Sequence, residues 1–151
     1  MNHKITHHQN HGSLSDEYSL ANKSPLVTDY LELRKQIGWD DLELKMAKQS
    51  LRNSLYHVTI HQAGSLVAMG RVIGDGAIYF YIQDVMVAKD HQNRGLGDAI
   101  MRQIENFLAR NARKGSTIGL LASKGKESFY SRFGYQPRTG DNLGLGMCKF
   151  V

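Results

Sequence analysis

A chain of 151 residues with 41% hydrophobic residues and a formal net charge of +5 has the composition of one packed globular core, which excludes a disordered chain and leaves little room for a second domain. Its one cysteine, Cys148, excludes an internal disulfide framework, and no apolar run approaches the length that crosses a bilayer. These features point to a cytoplasmic protein with no membrane partner. The positive balance suits an anionic ligand as well as plain solubility. Basic residues are scattered, and the one local cluster, Arg110, Arg113 and Lys114, complements the dipole at a helix end. Aromatic and basic residues do not interleave on one strand face, so nucleic acid is not expected as a partner.

Residues 1–15 read as a flexible leader and residues 16–151 as the folded domain. The leader holds His3, His7, His8 and His11, whose spacing matches no structural zinc pattern, so no metal is expected. Glu17–Lys23 is a weakly alternating first strand. After Pro25, the residues Leu26, Tyr30, Leu33 and Ile37 recur at helical spacing, and Gly38 stops that helix. Asp40 or Asp41 caps a second helix with Leu44, Ala47 and Leu51 on one face, ended by Asn53 and Ser54.

The period then changes. Leu55–His61, Leu66–Ile73 and Ala77–Val87 read as strands, separated by turn residues Gln62-Ala63-Gly64 and Gly74-Asp75-Gly76, which makes a three-strand antiparallel meander. From Gly95 to about Asn111, the residues Leu96, Ile100, Ile104, Phe107 and Leu108 mark a long helix. Ser116–Ala122 is a short apolar strand, Glu127–Arg132 a short helix stopped by Gly134, and Gly144–Val151 a last strand. Strands, helix, strand, helix, strand is the order of a mixed α/β sheet.

The most informative stretch is Val85-Met86-Val87-Ala88-Lys89-Asp90-His91-Gln92-Asn93-Arg94-Gly95-Leu96-Gly97. A buried strand runs through a polar turn into a helix, with two glycines at the junction. Free N–H groups and the dipole at a helix start attract anions, and glycine lets a phosphate approach the backbone closely. Both a phosphate site and a tight turn with no ligand fit the glycines alone. The stretch is not a P-loop, since no Gly-Lys-Ser/Thr follows, and it lacks the third glycine of the dinucleotide fingerprint.

Gln92-Asn93-Arg94-Gly95-Leu96-Gly97 resembles the Gln/Arg-x-x-Gly-x-Gly/Ala signature of the GCN5-related N-acetyltransferases. The strand Asp84-Val85-Met86-Val87 before it, and the segment Glu127-Ser128-Phe129-Tyr130-Ser131-Arg132-Phe133-Gly134-Tyr135, are similar to that family's pattern as well. Leu143-Gly144-Leu145-Gly146-Met147 resembles the endings of small bacterial members. The resemblance covers about Leu55 to the end. It implies a central, mostly antiparallel sheet with a splayed strand pair, flanked by helices, and transfer of an acetyl group from acetyl-coenzyme A to a primary amine of a small molecule.

Carried over, the resemblance implies that Gln92 opens the turn and that the amides of Asn93, Arg94, Gly95, Leu96, Gly97 and Asp98 hold the coenzyme pyrophosphate. Backbone groups of Val85, Met86 and Val87 then meet the pantetheine. Ser123 stands where the family often has an asparagine against the pantetheine. Tyr130 matches the family's general acid, which protonates the leaving thiolate; a tyrosine packed beside Phe129 and Phe133 is the alternative. Asp84 is the nearest match to a general base, with Asp75 second. His57, His61 and His91 titrate in a suitable range, although His91 lies in the turn. Cys148 is expected to pack rather than to carry an acyl group. Acceptor choice is implied to lie in Pro25–Asn53, where Glu32, Asp40, Asp41 and Glu43 suit a cationic amine or form a solvated face, and where Trp39 lines the acceptor site or packs. A homodimer is compatible with the family. A coenzyme-binding sensor that has lost catalysis is the alternative function.

Overall fold

The structure is a computed structural model that describes residues 13–151; the histidines expected in the leader lie outside the described residues. The described residues form two compact units that divide between Gly119 and Leu120. In chain order the elements are β1 (Tyr18–Ala21), α1 (Val27–Gln36), α2 (Leu44–Arg52), β2 (Tyr56–Gln62), β3 (Ser65–Gly74), β4 (Tyr79–Val87), a 3-10 turn (Lys89–His91), α3 (Leu96–Asn111), β5 (Thr117–Leu120) and α4 (Glu127–Ser131). The sheet runs β1-β2-β3-β4-β5, with β1 to β4 paired antiparallel, and β5 starts beside β4 where the Thr117 amide donates to the Ile78 carbonyl at 2.7 Å. The expected mixed sheet flanked by helices is therefore present, with β1 shorter than its alternation suggested.

Two tight turns fix the register. Ala63 and Gly64 sit at φ of 46° and 82° between the paired residues Gln62 and Ser65, the left-handed pair that a two-residue hairpin needs. Between β3 and β4, the Asp75 carboxylate accepts the amides of Ala77, Ile78 and Tyr79 at 2.8, 2.9 and 2.9 Å. A Cβ at Gly74 would lie 2.1 Å from the Tyr79 carbonyl oxygen, so only glycine fits there.

β3 is buried from Leu66 to Val72, as a strand covered on both faces must be. On one face α3 lies against the sheet so closely that a Cβ at Gly70 would meet Ile100 Cγ2 at 2.5 Å and Ile104 Cδ1 at 3.0 Å. The next residue, Arg71, points to the opposite face, where it donates to Asp84 of β4 and to Ser50 of α2 and its guanidinium lies 6.0 Å from the Tyr30 ring of α1. Tyr30 and Leu33 of α1, Ala47 and Leu51 of α2, and Leu96, Ile100, Met101, Ile104 and Leu108 of α3 are buried. These positions recur at helical spacing, which is why the periodicity located all three helices.

Two expectations fail. α2 starts at Leu44 with Glu43 at its N-cap and no side-chain cap bond, so neither Asp40 nor Asp41 caps it; both lie in the connection before the helix. The segment 144–151 forms no strand. Leu143, Leu145, Met147 and Phe150 are exposed, so the alternation that suggested a strand buries no face, and a strand needs a hydrogen-bonded neighbour as well as a period.

Replacing Gly70 by Val is expected to destabilise the fold by about 1–3 kcal/mol in chemical denaturation, the usual cost of overpacking a filled site. A second expectation concerns pH. Burial, and after it the Arg71 guanidinium, lowers the His57 pKa, and its Nε2 is buried with no hydrogen-bond partner among the described residues. The unfolded chain therefore takes up this proton more readily than the folded one. Stability should be complete above about pH 6.5 and fall progressively below it. His57→Gln should flatten that part of the stability curve; an unchanged slope would show that another group governs it.

Candidate functional site

The site begins with an irregularity in β4. Arg71 pairs with Gln83 and Met69 with Met86, so Asp84 and Val85 together face the single residue Gly70. This is a β-bulge, a device that bends a strand and interrupts its ladder. Asp84 accommodates it at φ of 53°, a left-handed backbone that Asp and Asn tolerate better than most residues.

Asp84 is 3% exposed. Its Oδ2 accepts Arg71 Nε at 2.7 Å and the Tyr30 hydroxyl at 2.8 Å. Its Oδ1 accepts Gln83 Nε2 at 3.3 Å and lies 3.7 Å from Arg34 Nη1. A general base needs a lone pair turned toward the substrate, and here both oxygens are engaged inside the core. Desolvation, followed by the Asp84 charge, raises the Tyr30 phenol pKa, so it remains a donor to the carboxylate. Asp75, the second candidate, is the turn-closing residue described above; the Tyr79 amide is the leading cause of its lowered pKa.

Past Val87 the backbone turns away. The Ala88 amide donates to the Val67 carbonyl at 2.8 Å, which ties the end of β4 to β3. The Gln92 side-chain amide donates to the Val87 carbonyl at 3.1 Å, so the first residue of the motif braces the strand end. Asn93 and Gly95 lie at φ of 59° and 79°, and the first α-helical bond of α3 is Ala99 to Gly95 at 3.0 Å. The amides of the first turn precede that bond and so face the helix mouth, where an anion is favoured. A Cβ at Gly95 would find nothing within 4 Å, so glycine is required there for its backbone angle and leaves the approach open. Leu96 is 1% exposed and pins the start of the helix to the core.

A third connection was not visible in the sequence. The Tyr18 hydroxyl of β1 lies 2.9 Å from His91 Nδ1 and accepts Arg94 Nη1 at 3.2 Å, and Arg94 reaches Glu17 at 3.8 Å. The first strand thus braces both ends of the turn. His91 has a structural part here. No local signal marks a pairing across 73 residues.

In the second unit, Ser123 is exposed and its carbonyl accepts the Lys126 amide at 2.9 Å, leading into α4. Tyr130 lies on α4 with Phe129 edge-on at 5.0 Å, and Phe129 meets Phe133 at 5.6 Å. Its phenol is half-buried, and burial raises its pKa above the usual tyrosine value. Cys148 is exposed and so does not pack as expected. Glu32, Asp40, Asp41 and Glu43 are all exposed, and Trp39 is half-buried with the Arg34 guanidinium 5.1 Å from its ring. Among the described residues, no cluster of His, Cys, Asp and Glu could hold a metal ion, and no helix is long and apolar enough to cross a membrane.

Comparison with known proteins agrees with this arrangement. The family model described as Acetyltransferase (GNAT) domain matches residues 52–137. An "Uncharacterized N-acetyltransferase ycf52" from Pyropia yezoensis is 32% identical over 124 residues, covering 80% of this chain and 70% of the relative. "GCN5-related N-acetyltransferase 2, chloroplastic" from Arabidopsis thaliana is 26% identical over 130 residues, covering 73% of this chain and 50% of that protein. The crystal structure of a protein of unknown function from meticillin-resistant Staphylococcus aureus, described as a "Probable Acetyltransferase", superposes with a TM-score of 0.80 at 30% identity, covering 87% of this chain and 99% of that one. The chain belongs to the GNAT acetyltransferase family.

Proposed function

We propose that the chain transfers an acetyl group from acetyl-coenzyme A to a primary amine of a small molecule by direct attack. The observation that carries this reading is the turn from Val87 to Leu96, where left-handed Asn93 and Gly95 lead into the start of α3, whose first amides have no partner within the helix and suit an anion. Asn93, Arg94, Gly95, Leu96, Gly97 and Asp98 would hold the pyrophosphate there, and backbone groups of Val85, Met86 and Val87 beside the bulge would meet the pantetheine, with Ser123 contributing from its loop. No metal is invoked.

In the reaction the amine nitrogen attacks the thioester carbonyl, the C–N bond forms and the C–S bond breaks. Tyr130 gives its hydroxyl proton to the departing thiolate. The amine arrives protonated, loses one proton before it attacks and a second as the amide forms, and the second restores the Tyr130 hydroxyl by way of solvent. Both oxygens of Asp84 are already engaged, so this reading releases the amine proton to solvent and gives Asp84 a positioning part. Holding both reactants in one cleft supplies most of the rate advantage. The exposed carboxylates Glu32, Asp40, Asp41 and Glu43 favour a cationic acceptor.

Two measurements test the reading. Gly95→Val forces a β-branched residue into the left-handed region, so coenzyme A affinity should fall by about tenfold or more while the circular dichroism spectrum is retained; unchanged affinity in the folded variant would refute the pyrophosphate assignment. Tyr130→Phe removes only the hydroxyl, and turnover of acetyl-coenzyme A with a responsive amine should fall about 10²–10⁴-fold, the range of a positioned acid, with coenzyme affinity kept. Burial raises the phenol pKa, so the acid form persists as pH rises, and wild-type turnover should hold until above about pH 10, the ordinary tyrosine value. Full turnover by the phenylalanine variant would return Tyr130 to a packing role.

A further inference from the structure

On the face of the sheet away from α3, one guanidinium joins three elements. Arg71 is 5% exposed. Its Nε donates to Asp84 Oδ2 in the bulge of β4 at 2.7 Å. Its Nη1 donates to the Ser50 carbonyl and to Ser54 Oγ, each at 3.0 Å, and its Nη2 donates to Ser50 Oγ at 3.0 Å. Ser50 lies in the last turn of α2, whose final carbonyls have no partner within the helix, so Arg71 caps that helix with a cation at the negative end of its dipole. From α1, Tyr30 donates to the same Asp84 oxygen at 2.8 Å, and Arg34 approaches the other at 3.7 Å. Both helices and the bulge therefore converge on one buried ion pair.

We propose that Arg71 is a positioning residue that locks the α1–α2 layer to the β4 bulge, with Asp84 as its counter-charge and not as the proton acceptor of the reaction. This rests on the proposed function, in which the α1–α2 region offers the amine and the bulge receives the thioester. A buried ion pair is a poor source of stability, because desolvation offsets much of the attraction, while removal of one partner strands the other charge. Its use here is geometric. The planar fork of arginine holds fixed directions to several acceptors that a lysine ammonium does not. An error of about 1 Å between reacting groups costs about 10²-fold in rate, so the tether sets the approach of the amine to the carbonyl carbon.

The test compares Arg71→Met, Asp84→Asn and the double variant with the wild-type chain. Asparagine tolerates the left-handed backbone at position 84, and the double variant leaves no stranded charge, so it should fold even if a single variant does not. Hydrogen exchange on the substrate-free proteins should be about tenfold faster or more over Leu44–Arg52 in Arg71→Met and in the double variant, with α3 unchanged, as for a locally released element. With an amine that the wild type acetylates, the double variant should lose about 10²-fold in kcat and show a raised amine KM, with coenzyme A affinity unchanged. The pH–rate profile of Asp84→Asn, or of the double variant if the single one does not fold, should keep the shape of the wild-type profile. Loss of its acidic limb would make Asp84 the base and overturn the proposal, as would unaltered exchange in α2. Exchange is read without any substrate, so a wild-type chain that acetylates no amine would defeat the proposed function and still leave the tether decided.

Discussion

Opposite Gly70, strand β4 carries two residues where its neighbour carries one, and much of the molecule is arranged around that surplus. The extra residue, Asp84, has a left-handed backbone, a conformation that costs an L-residue about 1–2 kcal/mol. It persists because the surroundings over-determine it. On one side Gly70 has no side chain, and α3 sinks into the space. On the other, the Asp84 carboxylate is held by Arg71 and Tyr30.

The turn that follows inherits its aim from the bulge. Val87 is fixed by Gln92 from ahead, and Ala88 by Val67 from the side. The helix that receives the chain is seated by Leu96, Ile100 and Ile104, the last two packed over Gly70. Strand irregularity, close helix packing and the course of the turn into α3 are thus consequences of the same few residues. The family match over residues 52–137 encloses this whole assembly, whereas α1 and most of α2 precede it.

Features governed by local periodicity were readable before any coordinates. The burial of Tyr30 and Leu33, of Ala47 and Leu51, and of Ile100, Ile104 and Leu108 follows a spacing that only a helix satisfies. The turns at Ala63-Gly64 and Gly74-Asp75-Gly76 carry residues chosen for backbone angles. What could not be read depends on partners far along the chain. The bulge is a mismatch of register and has no composition of its own, so nothing local in the sequence signals that Arg71 and Tyr30 enclose the Asp84 carboxylate. Asp75 looked similar, and its three backbone donors became apparent only once the turn was closed. The tail misled in the opposite sense: Leu143, Leu145 and Met147 alternate with glycines as a half-buried strand would, yet they are exposed. The placement of Tyr130 as an acid came from its motif, which the pattern of burial alone does not supply.

The bond from Tyr18 to His91 also bears on how the chain folds. The meander from β2 to β4 pairs neighbours joined by short turns, whereas β1 reaches the turn after β4 across 73 residues. Closing a longer loop costs more chain entropy, and contacts of high sequence separation form slowly. The hairpins can therefore assemble while the turn after β4 still lacks its brace. The brace forms only when β1 docks on β2 through Tyr18 to Ala21, so the turn between β4 and α3 is expected to gain its last constraint after the hairpins have formed.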